Sequence, residues 1–413
     1  MSFSTLGLSP ALLRAVHALA HSAPTPIQSA AIPLILKGQD VLASAQTGSG
    51  KTLAFALPLL QSWAHDTPRP LVSTPRQARA FVLVPTRELA AQVGQVFRDL
   101  TQHLSHPLKV TVVFGGVSIN PQMMGLRGGT DIVIATPGRL LDLIAHNALT
   151  LSGVRALVLD EADRLLDLGF AEELARILAL LPTPRQNLFF SATFPPAVQD
   201  LAQTLLQAPV RVTAPSEERP PEIEQRAIAV DPSQRTQLLR HLILQHDWTR
   251  VLVFVATKHA AEIVADKLRK AQIDAEPFHG ALSQGKRNQV LADFKASRIR
   301  VMVATDVAAR GIDIAQLPMV VNYDLPRSTA DYTHRIGRTG RAGANGLAIS
   351  LVSAATQAHW HLIEQRQGLK VALAHVTGFE PTQIAPPSAG TGGIKGKRPS
   401  KKDKLRAAAA RLP

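Results

Sequence analysis

The apolar residues of this chain fall in short continuous runs, separated by stretches with helical periodicity. Strands that are buried on both faces of a parallel sheet appear as continuous apolar runs, whereas half-exposed strands alternate apolar and polar residues. The pattern therefore predicts an α/β fold built on parallel sheets. In the first half of the chain, strands are predicted at residues 40–45, 80–85, 109–114, 131–136, 156–160, 187–191 and 210–213.

The alternation stops once and then restarts, which predicts two domains in series. Residues 214–225 contain three prolines and four glutamates with little apolar content, so they are predicted to be a linker. We expect an N-terminal domain at residues 1–213, a C-terminal domain at 226–377 and a disordered basic tail at 378–413. In the second domain, strands are predicted at residues 226–230, 250–256, 275–278, 300–305, 319–322 and 347–351.

Charge is concentrated at the C-terminus. The chain of 413 residues has a formal net charge of +14, and residues 394–413 hold eight basic residues and one acid, a net of +7. Such a segment either solubilises the protein or tethers it nonspecifically to a polyanion such as nucleic acid.

Composition excludes several classes of function. With no cysteine, neither a disulfide framework nor a thiolate metal site can form, and the fourteen histidines lack metal-ligand spacing. No apolar run reaches 18 residues and no signal region precedes the first domain, so we expect a soluble cytoplasmic protein without a membrane partner. The aromatic content of 4% disfavours base recognition by large stacking platforms.

Residues 45–52 read Ala-Gln-Thr-Gly-Ser-Gly-Lys-Thr between a predicted strand and a predicted helix. An ordinary glycine-rich turn is the alternative to a phosphate-binding loop, in which backbone N–H groups and a helix N-terminus surround phosphate oxygens. Lys51 would then bind the β- and γ-phosphates, and the Thr52 hydroxyl would bind Mg²⁺. The predicted nucleotide contacts of this loop are Gln46, Thr47, Gly48, Ser49, Gly50, Lys51 and Thr52.

Two further strings suggest nucleotide hydrolysis. Residues 160–163 read Asp-Glu-Ala-Asp at the end of an apolar run, where a carboxylate can hold a metal ion and polarise water, although the string alone fits a solvated helix start equally well. Residues 334–341 read His-Arg-Ile-Gly-Arg-Thr-Gly-Arg, and Arg335, Arg338 and Arg341 would share a face of one helical turn. This string is either a surface basic patch or a source of arginine fingers for a γ-phosphate.

Together these strings resemble the DEAD-box family of ATP-dependent RNA helicases, and the short chain is most similar to the bacterial RhlE-type subgroup. The resemblance runs from about residue 3 to residue 352 and implies two tandem RecA-like domains that use ATP and Mg²⁺. The remaining matching segments are 24–28, 85–90, 115–116, 136–139, 191–193, 253–258, 279–287 and 304–313.

The resemblance implies roles for individual residues at the nucleotide. Gln28 would bind the adenine edge, and Phe3 occupies the place of an isolated upstream aromatic. The family has glycine and a stacking aromatic where this chain has Ala20 and His21, so nucleotide affinity is expected to be weaker. Asp160 would hold Mg²⁺ through water and Glu161 would orient or deprotonate the attacking water. The other implied residues are Asp313 at the ribose, Arg338 and Arg341 as fingers, and His334 in an interdomain hydrogen-bond network.

The resemblance also implies an RNA site that is coupled to the nucleotide site. Asp163, Ser191 and Thr193 would connect the two. Small, hydroxyl and basic side chains suit phosphate and 2′-OH contact, so binding to duplex and single-stranded RNA should be independent of sequence. The implied RNA contacts are Thr86, Arg87, Gly115, Gly116, Thr136, Gly138 and Arg139 in the first domain, and Lys258, Gly280, Arg287 and Thr305 in the second.

Two rival functions stay open at this point. A DNA-directed translocase of the same broad superfamily would respond to single-stranded DNA as well as to RNA. A nonhydrolytic RNA-binding scaffold would require damage to Lys51, Glu161 or Arg338, and all three are present. We expect a monomer that acts with ribosome-assembly or RNA-decay proteins.

Overall fold

The computed structural model describes residues 2–45, 48–64, 76–106, 108–213, 223–309, 317–340 and 346–383. The described residues fold as two compact units, one made of residues up to 213 and the other of those from 223 onward. Four residues of the predicted site, Gln46, Thr47, Asp313 and Arg341, lie outside this description, as do residues 214–222 of the predicted linker.

The first unit contains a seven-stranded parallel sheet with the strand order β3-β4-β2-β5-β6-β1-β7. The central strands are buried on both faces, which is why their sequences are continuously apolar. The seven strands are β1 Val41–Ser44, β2 Ala80–Leu83, β3 Val110–Val113, β4 Ile132–Ala135, β5 Ala156–Leu159, β6 Gln186–Ser191 and β7 Val210–Thr213. Each matches a predicted strand to within two residues at either end.

Helices cover both faces of this sheet and bury two apolar clusters, one on each side. The helix predicted at 87–104 is present and begins where the Thr86 hydroxyl accepts a hydrogen bond from the Leu89 N–H at 3.2 Å. On its apolar face Val93 and Phe97 are fully buried, and Val96 is partly buried. The helices, besides a 3₁₀ turn at Phe3–Leu6, are α1 Pro10–Ala18, α2 Pro26–Leu36, α3 Lys51–Ala64, α4 Arg87–Thr101, α5 Asn120–Gly125, α6 Pro137–Ala145, α7 Ala162–Asp167, α8 Ala171–Leu180 and α9 Pro196–Leu205.

The second unit repeats this architecture with a second seven-stranded parallel sheet of order β10-β11-β9-β12-β13-β8-β14. Its strands are β8 Ile223–Ala229, β9 Val251–Val255, β10 Ala275–Phe278, β11 Val301–Thr305, β12 Met319–Asn322, β13 Gly346–Val352 and β14 Leu373–Ala374. Its helices are α10 Arg235–Gln245, α11 Lys258–Lys270, α12 Gln284–Lys295, α13 Asp306–Ala309, α14 Thr329–Ile336 and α15 Gln357–Gln367. The two-residue edge strand β14 was not predicted, because it is too short to give a periodic signal.

Two predicted boundaries need correction. The linker was predicted to extend to residue 225, but β8 already begins at Ile223. The tail was predicted to begin at residue 378, but the chain stays attached to the second unit as far as Gln383. There the Asp231 carboxylate accepts hydrogen bonds from the Thr382 N–H and hydroxyl, both at 2.8 Å, and from the Gln383 N–H at 3.3 Å. Residues 384–413 lie outside the description.

Within the described residues, no helix is both long enough and apolar enough to cross a membrane.

Candidate nucleotide site and nucleic-acid interface

The sheet order of the first unit brings three distant motifs to one edge. Strands β1, β6 and β5 are neighbours, and β1 leads into the phosphate loop, β6 ends at Ser191 and β5 ends just before Asp160. Because parallel strands end at the same edge of a sheet, these groups meet although more than 100 residues separate the phosphate loop from the other two in sequence.

The phosphate loop has the backbone that its sequence predicts. Gly48 and Gly50 have φ angles of +85° and +89°, which residues with a Cβ rarely adopt. A Cβ at Gly50 would also lie 2.4 Å from Gln28 Nε2, so glycine is required there. The loop leads into Lys51, the first residue of α3, so a phosphate bound by the loop would lie at the positive end of the helix.

Lys51 has an unusual environment for a lysine. Its side chain is 6% exposed, and its ammonium has no hydrogen-bond partner among the described residues. The nearest opposite charge is Asp160 Oδ1, at 4.0 Å. A buried ammonium without hydrogen bonds is costly, and phosphate oxygens would satisfy it. The side chain is therefore placed to receive an anionic ligand.

Gln28 connects helix α2 with the phosphate loop. Its side-chain amide donates to the Gly50 carbonyl at 3.0 Å, and its side-chain oxygen accepts from the Thr25 N–H at 3.0 Å. The two partners fix which end of the amide is which, since one accepts and the other donates. The predicted contact of Gln28 with adenine stays a prediction; the contact with the phosphate loop is a feature that the sequence did not indicate.

The residues before Gln28 differ from one another in accessibility. Ala20 has a φ of +60°, so alanine occupies a left-handed position where the family pattern has glycine. His21 is exposed and open to a ligand. Phe3, in contrast, is 5% exposed and packs in the apolar core with Leu6. The structure therefore places Phe3 in the core and not on a surface open to the nucleotide, contrary to its predicted contact.

Asp160 and Glu161 lie side by side in a buried acidic cluster. Burial raises the pKa of Asp160 to about 6, an effect that Lys51 partly offsets and the Glu161 carboxylate increases. Asp160 Oδ1 accepts the Glu161 N–H at 3.0 Å. Glu161 has φ +52° and ψ +52°, a strained conformation for a side chain of this size. Its Oε2 pairs with Arg164 Nη1 at 3.0 Å, and both side chains are 5% exposed.

Asp163, Ser191 and Thr193 form the network that was predicted to couple the two sites. Asp163 Oδ2 accepts the Thr193 N–H at 3.0 Å and the Thr193 hydroxyl at 2.7 Å. The Ser191 hydroxyl accepts the Asp163 N–H at 3.3 Å and donates to the Thr193 carbonyl at 2.7 Å. The structure thus joins the end of β6 to the first turn of α7 beside Glu161.

The described residues offer few ligands for a divalent cation. Within the described residues, no group of three or more His, Cys, Asp or Glu side chains is placed to hold a metal ion. Mg²⁺ commonly binds through one or two protein oxygens, several waters and substrate phosphates. The buried Asp160 carboxylate and the half-buried Thr52 hydroxyl match this donor set.

The predicted RNA contacts of the first unit follow the neighbouring strands β3, β4 and β2, at the same sheet edge. Gly115 N–H donates to the Thr136 hydroxyl at 3.3 Å. The Arg87 guanidinium lies over Gly116, where a Cβ would be 1.9 Å from Arg87 Nη2.

Arg139 is 7% exposed and donates to the Val117 carbonyl at 2.7 Å. Arg139 therefore supports the loop after β3, while its Nε and Nη1 have no hydrogen-bond partner among the described residues. Its predicted contact with RNA stays a prediction. Thr86 is buried as the cap of α4, and Gly138 lies in the first turn of α6.

The second unit places its predicted RNA contacts in the corresponding order. Lys258, Gly280 and Thr305 lie at the ends of the neighbouring strands β9, β10 and β11. Lys258 and Gly280 are exposed, whereas Arg287 is 4% exposed with its guanidinium 5.2 Å from the Phe278 ring centre.

One interaction that lies beside Gly280 was not predicted from the sequence. His279 Nε2 lies 2.7 Å from Glu262 Oε1, a contact that ties the Gly280 loop to α11. The two residues are 17 positions apart with no local pattern to connect them.

The predicted helical face of arginines in the second unit is wrong. Helix α14 ends at Ile336, so Arg338 lies beyond it and does not continue the face of Arg335. Arg335 is turned inward and forms a bidentate pair with Asp306 at 2.6 and 2.7 Å. His334 is half-buried, and Arg338 is 4% exposed. Arg335 is thus a structural residue that holds α14 to the end of β11.

Two parallel-sheet units in series, with a phosphate loop beside a buried acidic strand end, define the class of tandem RecA-like nucleoside triphosphatases. Comparison with family models narrows this class: DEAD/DEAH box helicase matches residues 25–201, and Helicase conserved C-terminal domain matches residues 234–343. The chain belongs to the DEAD-box family of ATP-dependent RNA helicases.

Individual relatives agree with this assignment. The chain is 44% identical to the ATP-dependent RNA helicase SrmB of Escherichia coli, over 89% of this chain and 81% of that one. It is 42% identical to the ATP-dependent rRNA helicase RRP3 of Pyricularia oryzae, over 88% of this chain and 66% of that one. The solved structure of S. cerevisiae Dbp5 bound to RNA and ADP BeF3 has a TM-score of 0.78 and 31% identity, over 91% of this chain and 95% of that one. The RhlE-type subgroup stays a prediction.

Proposed function

We propose that this chain is an RNA-stimulated ATPase that separates short stretches of RNA duplex, or remodels RNA–protein complexes, by closure of its two domains. The observation that carries the proposal is the buried Lys51 ammonium, which has no hydrogen-bond partner among the described residues and lies 4.0 Å from Asp160. The solved Dbp5 structure, which bears RNA and ADP BeF3, supports the same pairing of ligands.

In this proposal each residue of the site does a separate part of the chemistry. Lys51 binds the β- and γ-phosphates, and the glycines of the loop present N–H groups to their oxygens. Mg²⁺, held by Thr52 and through water by Asp160, would neutralise charge on the phosphates. Glu161 orients or deprotonates the attacking water. Ser49 and the loop residues Gln46 and Thr47 complete the phosphate contacts.

We assign RNA binding to the strand-end edge of each sheet. The candidate contacts are exposed or half-exposed glycine, hydroxyl and basic groups, such as Arg87, Gly116, Lys258 and Gly280. Groups of this kind bind phosphate and 2′-OH and do not read bases, so binding should be independent of sequence and should weaken steeply with salt. The Asp163–Thr193 network, which includes the Ser191 hydroxyl, is the proposed coupler.

The remaining assignments are part of the same proposal. Arg338 and Arg341 would stabilise charge on the γ-phosphate, His334 would support them and Asp313 would bind the ribose. We assign residues 1–213 and 223–383 to the two domains and residues 384–413 to a basic tail that binds RNA nonspecifically. We further propose a cytoplasmic monomer that acts with ribosome-assembly or RNA-decay proteins.

Strand separation tests this function directly. A short labelled RNA duplex and a long one are incubated with the protein and ATP, with a nonhydrolysable analogue, or with the Glu161→Gln variant. Local separation predicts that the short duplex is released by the wild type with ATP while the long duplex resists. Equal release of both lengths would indicate long-range translocation and would overturn the closure mechanism.

A further inference from the structure

Arg164 lies against Glu161, the residue that is proposed to act on water. It stands three positions after Glu161, in the first turn of α7, and its Nη1 is 3.0 Å from Glu161 Oε2. Both side chains are 5% exposed. Two buried ions of opposite charge at this distance form a strong, directional contact.

The contact bears on the geometry of the glutamate. A free glutamate side chain samples many rotamers, and a carboxylate that must meet one water benefits when its orientation is fixed beforehand. Glu161 is already fixed at its backbone, which has a left-handed conformation and whose N–H donates to Asp160 Oδ1 at 3.0 Å. The guanidinium of Arg164 binds the carboxylate at the other end of the Glu161 side chain.

Arg164 also contacts the coupling network. Its backbone N–H donates to Asp163 Oδ1 at 3.1 Å, while Asp163 Oδ2 accepts from Thr193. One residue therefore joins the hydrolytic glutamate through its side chain and the coupling aspartate through its backbone. A rearrangement of Thr193 and Asp163 would be transmitted to the Glu161 carboxylate along this short path.

We propose that Arg164 is a positioning residue for ATP hydrolysis, which holds the Glu161 carboxylate towards the attacking water and links its orientation to the Asp163–Thr193 network. The inference rests on the proposed role of Glu161. Arg164 does not touch the substrate in this account; it acts through Glu161.

The test compares Arg164→Met, Arg164→Lys and the double variant Arg164→Met with Glu161→Gln. Arg164→Met should lower kcat at least about tenfold while KM for ATP and RNA affinity stay within about twofold, because the ground-state contacts are unchanged. Arg164→Lys keeps the charge at the end of a flexible stem and should restore much of the loss. The exposed Arg176→Met in α8 is the matched control and should behave as wild type.

The double variant separates positioning from general destabilisation. If Arg164 acts through Glu161, removing it should have no further effect once Glu161 is Gln. Amide exchange in nucleotide-free protein gives a second readout: residues 161–167 should exchange faster in Arg164→Met than in Arg164→Lys, with the rest of the sheet unchanged.

Several results would overturn the inference. An unchanged kcat in Arg164→Met would contradict positioning. A higher kcat would contradict it too, because it would mean that Arg164 restrains Glu161. Multiplicative losses of kcat in the double variant would also contradict it. An Arg164→Met protein with weakened ATP binding would indicate a structural role. These failures are distinct from failure of the proposed function, which would appear as full activity in the single variant Glu161→Gln.

Discussion

Replacement of Asp160 by asparagine should stabilise the nucleotide-free protein, although it should abolish hydrolysis. The carboxylate is 2% exposed, and burial raises its pKa from 3.8 to about 6. A carboxyl group whose pKa is higher in the folded state binds its proton more tightly when folded. The folded protein therefore loses stability as the pH rises from 3.8 to about 6 and the group ionises, and asparagine removes this cost.

The size of the effect follows from the shift. A difference of about 2 pH units corresponds to about 3 kcal/mol at pH 8, where the carboxylate is ionised in both states. At pH 5 roughly half of this remains, because the folded carboxyl is mostly protonated. The attraction of Lys51, which asparagine also removes, is already included as the opposing effect on this pKa. For a domain of this size, 3 kcal/mol corresponds to a rise of about 6 to 12 °C in Tm.

The assay is thermal unfolding of wild type and Asp160→Asn in EDTA without nucleotide, at pH 8 and at pH 5. The transition of the first domain should shift upward at pH 8, and the difference between the proteins should shrink at pH 5. Asp163→Asn is the matched control. The Asp163 carboxylate accepts three hydrogen bonds, and in asparagine the side-chain NH2 group would face one of these N–H or O–H donors. That variant should lose about 1 to 3 kcal/mol at pH 8.

The reasoning would be refuted if Asp160→Asn melted at or below the wild-type temperature at pH 8. It would also fail if the shift were equal at both pH values, because the effect would then not come from ionisation of the carboxylate.

Three other perturbations give separate tests. Gly50→Ala should weaken ATP binding at least about tenfold in a fluorescent-nucleotide titration, because the new Cβ would meet Gln28 Nε2 at 2.4 Å in a left-handed backbone. Glu262→Ala should weaken RNA binding about threefold to tenfold by releasing His279, whereas Glu262→Gln, which can keep the hydrogen bond, should bind as well as wild type. Deletion of residues 394–413 should weaken RNA binding and flatten its dependence on salt, with RNA-free hydrolysis unchanged.

Each of these tests has a result that contradicts it. Wild-type ATP affinity in Gly50→Ala would show that the loop tolerates a side chain there. Tighter RNA binding in both Glu262 variants would mean that the Glu262 carboxylate only repels RNA phosphate. Asp266→Ala is the control for the loss of a negative charge, because Asp266 lies on the same helix and its carboxylate is exposed. An unchanged salt slope in the shortened chain would leave the tail as a solubilising segment.

The strands and the phosphate loop could be predicted because their physical causes are local in sequence. A strand buried on both faces must be apolar along its whole length, as in Val251–Val255, and this leaves a continuous run. The left-handed backbone of Gly48 and Gly50 requires glycine, so the sequence records it directly.

The interactions that the sequence did not indicate join residues that are far apart. Asp231 holds Thr382 across about 150 positions, and composition alone placed that segment in the tail. The spacing of Arg335 and Arg338 suggested a common helical face. In the structure Arg335 is buried in a pair with Asp306, and α14 ends at Ile336, so Arg338 lies outside the helix. Local periodicity contains no information on such tertiary partners, so it cannot distinguish a buried arginine from an exposed one.

The most direct test of the central claim is steady-state ATP hydrolysis measured without nucleic acid, with structured RNA and with single-stranded DNA, beside the Glu161→Gln variant. An RNA-coupled site predicts strong stimulation by RNA, little by DNA and only a small residual turnover in the variant. Absence of stimulation by RNA, or equal stimulation by DNA, would contradict the assignment of an RNA-gated ATPase.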